Sequence, residues 1–180
     1  MSHSCSVGPL PLPVTGADRE ALCNLMQACV EHGASIGYLQ GMSGAEAAQF
    51  WARIEAGAAA GERVVLVGRD EAGRIIGTVQ LGWEAKPNGC HRAEVQKLMV
   101  APADRHRGLG TCLMRAAEEL AAARGIRLLF LDTSEGRGGA GALYERLGYT
   151  YAGGIPEYAL DPDGTPAKNA IYYKLLGPAR

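Results

Sequence analysis

Between Ala93 and Asp132 the chain changes its apolar spacing twice, and that alternation dictates the centre of any fold it adopts. "AEVQKLMV" (93–100) reads as a strand, "APADRHRGLG" (101–110) as a polar turn, and Leu109 to Arg124 as a helix. Leu113, Met114, Ala117 and Leu120 recur along that helix on one face, and Gly125 is its stop. "IRLLFLD" (126–132) follows as an unbroken apolar run, which predicts a strand covered on both faces and parallel to its neighbour. Strand, helix and parallel strand make a crossover at the middle of a sheet.

The flanks supply the rest. Leu22, Leu25, Met26, Cys29 and Val30 give an amphipathic helix over Asp18–Glu31. "HGASIGYLQGMSG" (32–44) is a glycine-punctuated loop, and Ser43 caps a second helix through Ala60 with Phe50, Trp51 and Ile54 on one face. "RVVLVGRD" and "IIGTVQLGW" form a hairpin through "EAGR", and "KPNG" (86–89) turns the chain into the strand at 93–100. A short helix ends near Leu147-Gly148, and "YTYAG" with "AIYYKLL" closes the sheet as an antiparallel pair. The expected fold is α/β (α+β): a mixed, mostly antiparallel sheet of six or seven strands, a central parallel pair and about four helices.

At 180 residues this is one domain, 1–180, with the Pro/Gly-interrupted residues 1–16 as a loosely ordered arm holding at most a short edge strand. Apolar content of 47% with 21% charged residues excludes a disordered chain, and a net charge of -1 gives no general attraction to nucleic acid or an anionic membrane. Cys5, Cys23, Cys29, Cys90 and Cys112 form neither a CxxC pair nor a metal-ligand spacing, which fits a reducing compartment and no metal. The N-terminal segment lacks the basic stretch of a signal peptide, and no apolar run reaches the length of a membrane span. A cytoplasmic protein, monomer or homodimer, is expected.

"RHRGLG" (105–110) sits where strand hands over to helix. The first N–H groups of a helix lack internal partners and carry the positive end of its dipole. Gly108 and Gly110 open those N–H groups to an anion, and Arg105 and Arg107 add charge, so the turn can cradle a pyrophosphate. No Lys-Ser/Thr follows, so it is not a Walker loop. Taken alone, the same residues also suit a tight turn.

The pattern Arg105-x-x-Gly108-x-Gly110 after "LMV" and a proline resembles the signature of the GCN5-related N-acetyltransferase (GNAT) superfamily. "AGALYERLGY" (140–149) is similar to that family's second block and follows a strand at the expected distance. "GASIGY", "KPNGCHRAEVQKLMV", "LDT" and "PDG" further resemble the tabtoxin-resistance type of acetyltransferase. The resemblance implies acetyl-coenzyme A as cofactor. It sets the pyrophosphate on the loop Arg105, His106, Arg107, Gly108, Leu109, Gly110 and Thr111. It lays the pantetheine arm along the backbone of Leu98, Met99 and Val100, between splayed strands with free N–H and C=O groups.

The same resemblance implies roles for side chains. Glu94 stands where some members carry a general base, and alternation puts it on one face with Gln96, Leu98 and Val100. Its other reading is a solvent-facing glutamate or a partner of Arg92. Asp132 ends the apolar strand, where it serves as proton acceptor or ammonium ligand, or else caps the next helix. Tyr144 matches the tyrosine that protonates the departing thiolate; the alternative is a core tyrosine. Arg137 replaces an asparagine that contacts the cofactor in many members, within a glycine-rich segment expected to move without cofactor. Tyr38 and the region of Tyr158 wall the acceptor pocket, with Arg92 and Gln96 beside it and His91 on the surface.

These readings converge on an N-acetyltransferase that acts by direct attack within a ternary complex on a small amine, amino-acid-like or a toxin or antibiotic. Five cysteines without a catalytic histidine give no support to a covalent thioester route. Two other readings stand beside it: an acceptor that is an aminoglycoside, polyamine or peptide N-terminus, and a regulatory module that binds acyl-coenzyme A without turnover.

Overall fold

The computed structural model describes residues 6–135 and 140–177. Seven strands form one sheet in the order β1-β2-β3-β4-β5-β9-β6: β1 Ser6–Pro9, β2 Arg63–Arg69, β3 Ile75–Trp83, β4 Arg92–Val100, β5 Leu128–Ser134, β6 Thr150–Gly153 and β9 Asn169–Leu175. Every pairing is antiparallel except β4 with β5, the pair bridged by the crossover helix. β7 (Ala159–Leu160) and β8 (Pro166–Ala167) make a separate small hairpin. Four α-helices complete the described residues: α1 Gly16–Glu31, α2 Gly44–Ala59, α3 Leu109–Ala123 and α4 Gly141–Arg146.

Local chemistry starts the helices where the sequence predicts them. The Thr15 hydroxyl accepts from the Asp18 N–H at 3.1 Å, and Ser43 and Glu46 form a reciprocal capping box. α1 and α2 bury Leu22, Met26, Phe50 and Trp51 against Val65, Val67 and Met99 on one face of the sheet. α3 buries Leu113, Met114 and Ala117 against Val79, Leu81, Val95, Leu129 and Leu131 on the other. Two cores thus clamp the sheet from both sides. Leu109 anchors the start of α3 because Gly68 leaves room: a Cβ there would stand 2.6 Å from the leucine Cδ1.

Two expectations change. The arm expected to be loosely ordered over 1–16 is held throughout its described part. β1 pairs with β2, the Leu10 N–H donates to Val65 O at 2.8 Å, and the Val14 N–H donates to Glu55 at 3.1 Å. Leu10 is buried in the α1/α2 core, so burial offsets the entropy of ordering a proline-rich segment. The run 126–132 is parallel to its neighbour but covered on one face only. α1 and α2 lie over β2, β3 and β4, which leaves Asp132 exposed and Phe130 shielded by the Arg92 guanidinium, 5.8 Å from the ring centre.

Candidate active site

β4 and β5 pair only at Arg92 with Leu128, Ala93 with Leu129 and Glu94 with Phe130. Beyond Glu94 the ladder stops: β4 stays with β3 and β5 with β9, so a wedge opens between them. Leu98, Met99 and Val100 form its β4 wall. Not every backbone group there is free, because Val100 O already accepts from the Arg105 guanidinium Nε at 3.3 Å and the Cys29 thiol at 3.5 Å.

At the wide end of the wedge the chain turns through Pro102–Asp104, takes a left-handed step at His106 (φ 61°) and another at Gly108 (φ 88°), and enters α3. Only glycine adopts the conformation of residue 108 without penalty. No side chain caps α3, so its first N–H groups at Leu109, Gly110 and Thr111 keep the positive end of the dipole unmasked. The arginines contribute less than their number suggests. Arg105 folds back onto the end of β4, and Arg107 forms an ion pair with Asp104 at 3.2 Å. Leu109 faces the core, so it offers its backbone alone, and His106 is exposed. A ligand with an extended amide-bearing arm and an anionic end fits the opening: strand edge along one wall, uncapped helix at its end.

Lys97 changes the side-chain geometry of β4. Its φ of 51° marks a bulge, and the register with β3 slips there between Thr78 and Gln80. The slip reverses the faces. Glu94 and Gln96 lie on the α1/α2 side, whereas Leu98 and Val100 pack with the α3 core. The expected common face of Glu94, Gln96, Leu98 and Val100 is therefore broken at the extra residue.

On the α1/α2 side a cleft of about 290 Å³ is lined by Arg63, Arg92, Glu94, Gln96 and Phe130. The Gln96 amide Nε2 donates to Glu94 Oε2 at 2.7 Å, and Arg63 donates to Gln96 Oε1 at 3.4 Å. Glu94 is not the partner of Arg92, whose guanidinium pairs with Glu84 at 3.1 Å. Asp132 lies within β5, and α4 takes its N-cap from Ala140, so Asp132 caps no helix. The Lys97 ammonium donates to Ile36 O at 2.8 Å. Burial pulls its pKa below the usual lysine value, against the opposing pull of Asp132 and Glu94, and Arg63 adds to the lowering.

Tyr38 stands apart from this cleft. It packs edge-on against Phe50, with ring centres 6.0 Å apart, and lines a second opening of about 490 Å³ with Leu39, Ala159 and Leu160. The Gln40 N–H donates to Pro162 O at 2.8 Å, joining the α1–α2 loop to the β7–β8 hairpin, on which Tyr158 is exposed. Lys97 tethers that loop to β4 through Ile36. His91 is an exposed residue whose carbonyl accepts from Arg127 and Leu128.

Tyr144 is buried on α4, 5.6 Å from the Tyr172 ring and 5.9 Å from Tyr149. Desolvation, then the charge of Asp132 and the neighbouring Tyr172, push its pKa well above the usual phenol value. It keeps its proton at any physiological pH. Arg137 lies outside the described residues.

Lys97 and Arg63 are the residues that alternation missed. Two successive polar residues, Gln96-Lys97, inside a strand pattern were the signal of the bulge.

Residues 38–149 match the model of the family described as Acetyltransferase (GNAT) family. Among solved structures, the chain is similar to an N-acetyltransferase of Staphylococcus aureus Mu50, with 15% identity, TM-score 0.78, and coverage of 97% of this chain and 99% of that one. It is similar to a ribosomal-protein-alanine N-acetyltransferase of Brucella melitensis, with 21% identity, TM-score 0.77, and coverage of 95% and 99%. It is also similar to yncA of Salmonella typhimurium, solved with its cofactor acetyl-CoA, with 19% identity, TM-score 0.75, and coverage of 98% and 96%. At these identities the likeness carries the fold.

Proposed function

Because the chain belongs to the acetyltransferase (GNAT) family, whose donor is acetyl-coenzyme A, we propose that it acetylates the amine of a small, amino-acid-like acceptor by direct attack in a ternary complex. The observation that carries this reading is the wedge: a strand edge released after Glu94, leading to an uncapped helix N-terminus, with Glu94 lining the cleft beside it. Leu98, Met99 and Val100 would hold the pantetheine arm, and the N–H groups from Gly108 to Thr111 its pyrophosphate. Acetyl-coenzyme A supplies an acetyl group already activated as a thioester.

The chain's own residues deal with the protons. An alkylammonium of pKa near 10.4 is neutral in only about one part in a thousand at pH 7, so a base must take its proton. Glu94 takes it, its Oε2 held by Gln96 at 2.7 Å, while Asp132 fixes the ammonium from β5. The Tyr144 hydroxyl, which keeps its proton, gives it to the leaving sulfur. Arg92 and Gln96 line the cleft taken by the acceptor, and Tyr38 walls the second opening, apart from it.

The acceptor class rests on the likeness of "GASIGY" and "KPNGCHRAEVQKLMV" to the tabtoxin-resistance type. In this reading the protein works in the cytoplasm, where Cys23, Cys29 and Cys90 stay reduced; no described helix is long and apolar enough to cross a membrane.

Thiol release from acetyl-coenzyme A across a panel of amines and amino acids, with wild type and Glu94→Gln, tests the reading. We expect turnover with one amine class and a loss of about 10²–10³-fold in the variant, greatest near neutral pH. A raised melting temperature with acetyl-coenzyme A but no thiol from any amine would leave a binding module instead.

A further inference from the structure

A second enclosure lies at the other end of α3, about 20 Å from the pyrophosphate loop by the length of the helix. It is bounded by the N-terminal segment, α1, α2 and the start of β2, and its volume is about 160 Å³. Leu10, Leu22, Trp51, Ile54 and Val65 supply an apolar wall. An apolar cavity of about 150 Å³ admits a benzene ring.

The polar groups around it are unevenly satisfied. Arg19, Arg63 and Arg124 line the cavity against a single carboxylate, Glu55. Glu55 is already engaged by Arg19 and by the Val14 N–H. Arg63 directs one terminal nitrogen away to Gln80 and Gln96, at 3.3 and 3.4 Å, while its Nε is buried without a partner. That Nε lies close to α2 because Gly57 gives way: a Cβ there would stand 3.0 Å from it. The indole Nε1 of Trp51, on a side chain only 3% exposed, is also buried without a partner. Two unpaired donors and an excess of cationic side chains around one apolar cavity describe the complement of a small organic anion.

We propose that this cavity, which adjoins the acceptor cleft at Arg63, is a second small-molecule site that takes an aromatic monocarboxylic acid of benzoate size. The ring fills the apolar wall, and the carboxylate accepts from the Trp51 indole and the Arg63 Nε–H. The assignment does not depend on acetyl transfer.

Calorimetric titration of sodium benzoate into the full-length protein tests it, alone and with saturating coenzyme A. Wild type is expected to bind one equivalent saturably, with the same affinity in both conditions. Toluene, with the ring but no acceptor, binds about tenfold more weakly or worse, as does benzoate to Trp51→Phe, each a loss of the order of one hydrogen bond. Ala58→Leu, which fills the cavity from α2, abolishes binding while the variant retains its cooperative melting. Absence of saturable binding in wild type overturns the proposal. So does undiminished binding in both variants, or displacement of benzoate by coenzyme A, either of which would put the anion elsewhere.

Discussion

Burial lowers the Lys97 pKa, while the charges of Asp132 and Glu94 oppose the lowering. Lys97→Met removes that cation and its desolvation cost. The lysine's depressed pKa bears on stability. As pH falls from 10.5 through the lowered folded value the unfolded chain takes up this proton first, so the penalty builds over that window and persists below it. The variant should melt about 2–4 °C higher even as its activity falls, which calorimetry checks directly. Tyr144→Phe should lower kcat about 10²-fold with acetyl-coenzyme A affinity unchanged. Wild-type kcat should show no alkaline fall near the usual phenol pKa of about 10, since burial holds the Tyr144 proton above it. Glu94 and Tyr144 stand out as candidates in the sequence because motif spacing selects a residue type at one position. Lys97 does not, because strict alternation puts it on the buried face and only the bulge turns it toward the Ile36 carbonyl on the α1–α2 loop.

The entry to α3 depends on backbone rather than side-chain chemistry. Gly108 is left-handed at φ 88° with open space where a Cβ would stand, so a substitution there is strained without being crowded. Gly108→Val should cost about 1–2 kcal/mol of stability and also turn the first N–H groups of α3 off the anion, weakening acetyl-coenzyme A. Gly73→Val supplies the comparison: it is left-handed too, at φ 80°, but lies in the turn between β2 and β3. Equal losses of stability with loss of acetyl-coenzyme A affinity only at position 108 would assign the loop its role; equal affinities would make it a plain turn. The period of apolar residues was enough to locate α1, α2 and α3, since each buries one stripe against the sheet. Where Arg105 and Arg107 point was not readable, because their partners, Val100 O and Asp104, are set by how tightly the loop folds back.

Across the molecule, the two helical layers cover the sheet unequally: α1 and α2 stop over β4 while α3 and α4 face the other side. The apolar run 126–132 predicts a strand, which the structure has as β5 Leu128–Ser134, but not that one of its faces stays open, since an apolar run looks the same whichever neighbour covers it. Anchoring α1 to the β2 end therefore matters for the whole α1/α2 layer. Asp18, in the first turn of α1, receives both terminal nitrogens of Arg69 at 2.8 Å, a fork geometry with both side chains largely shielded. The Arg69 hydrogen bonds lower the Asp18 pKa below 3.8, against a smaller desolvation effect, so the folded state holds the ionised form preferentially. A depressed folded pKa gives stability that is complete above the unfolded value and lost as pH falls through the folded one. Asp18→Asn should therefore lower stability at pH 7 by about 1 kcal/mol, with the gap to wild type closing below pH 3.8. Urea denaturation at neutral pH and near pH 3 measures both halves. Arg69→Met and the double variant complete a cycle whose coupling should vanish in acid. A gap that persists there would mean that Asp18 acts on the positive end of the α1 dipole or through packing, not through the ion pair.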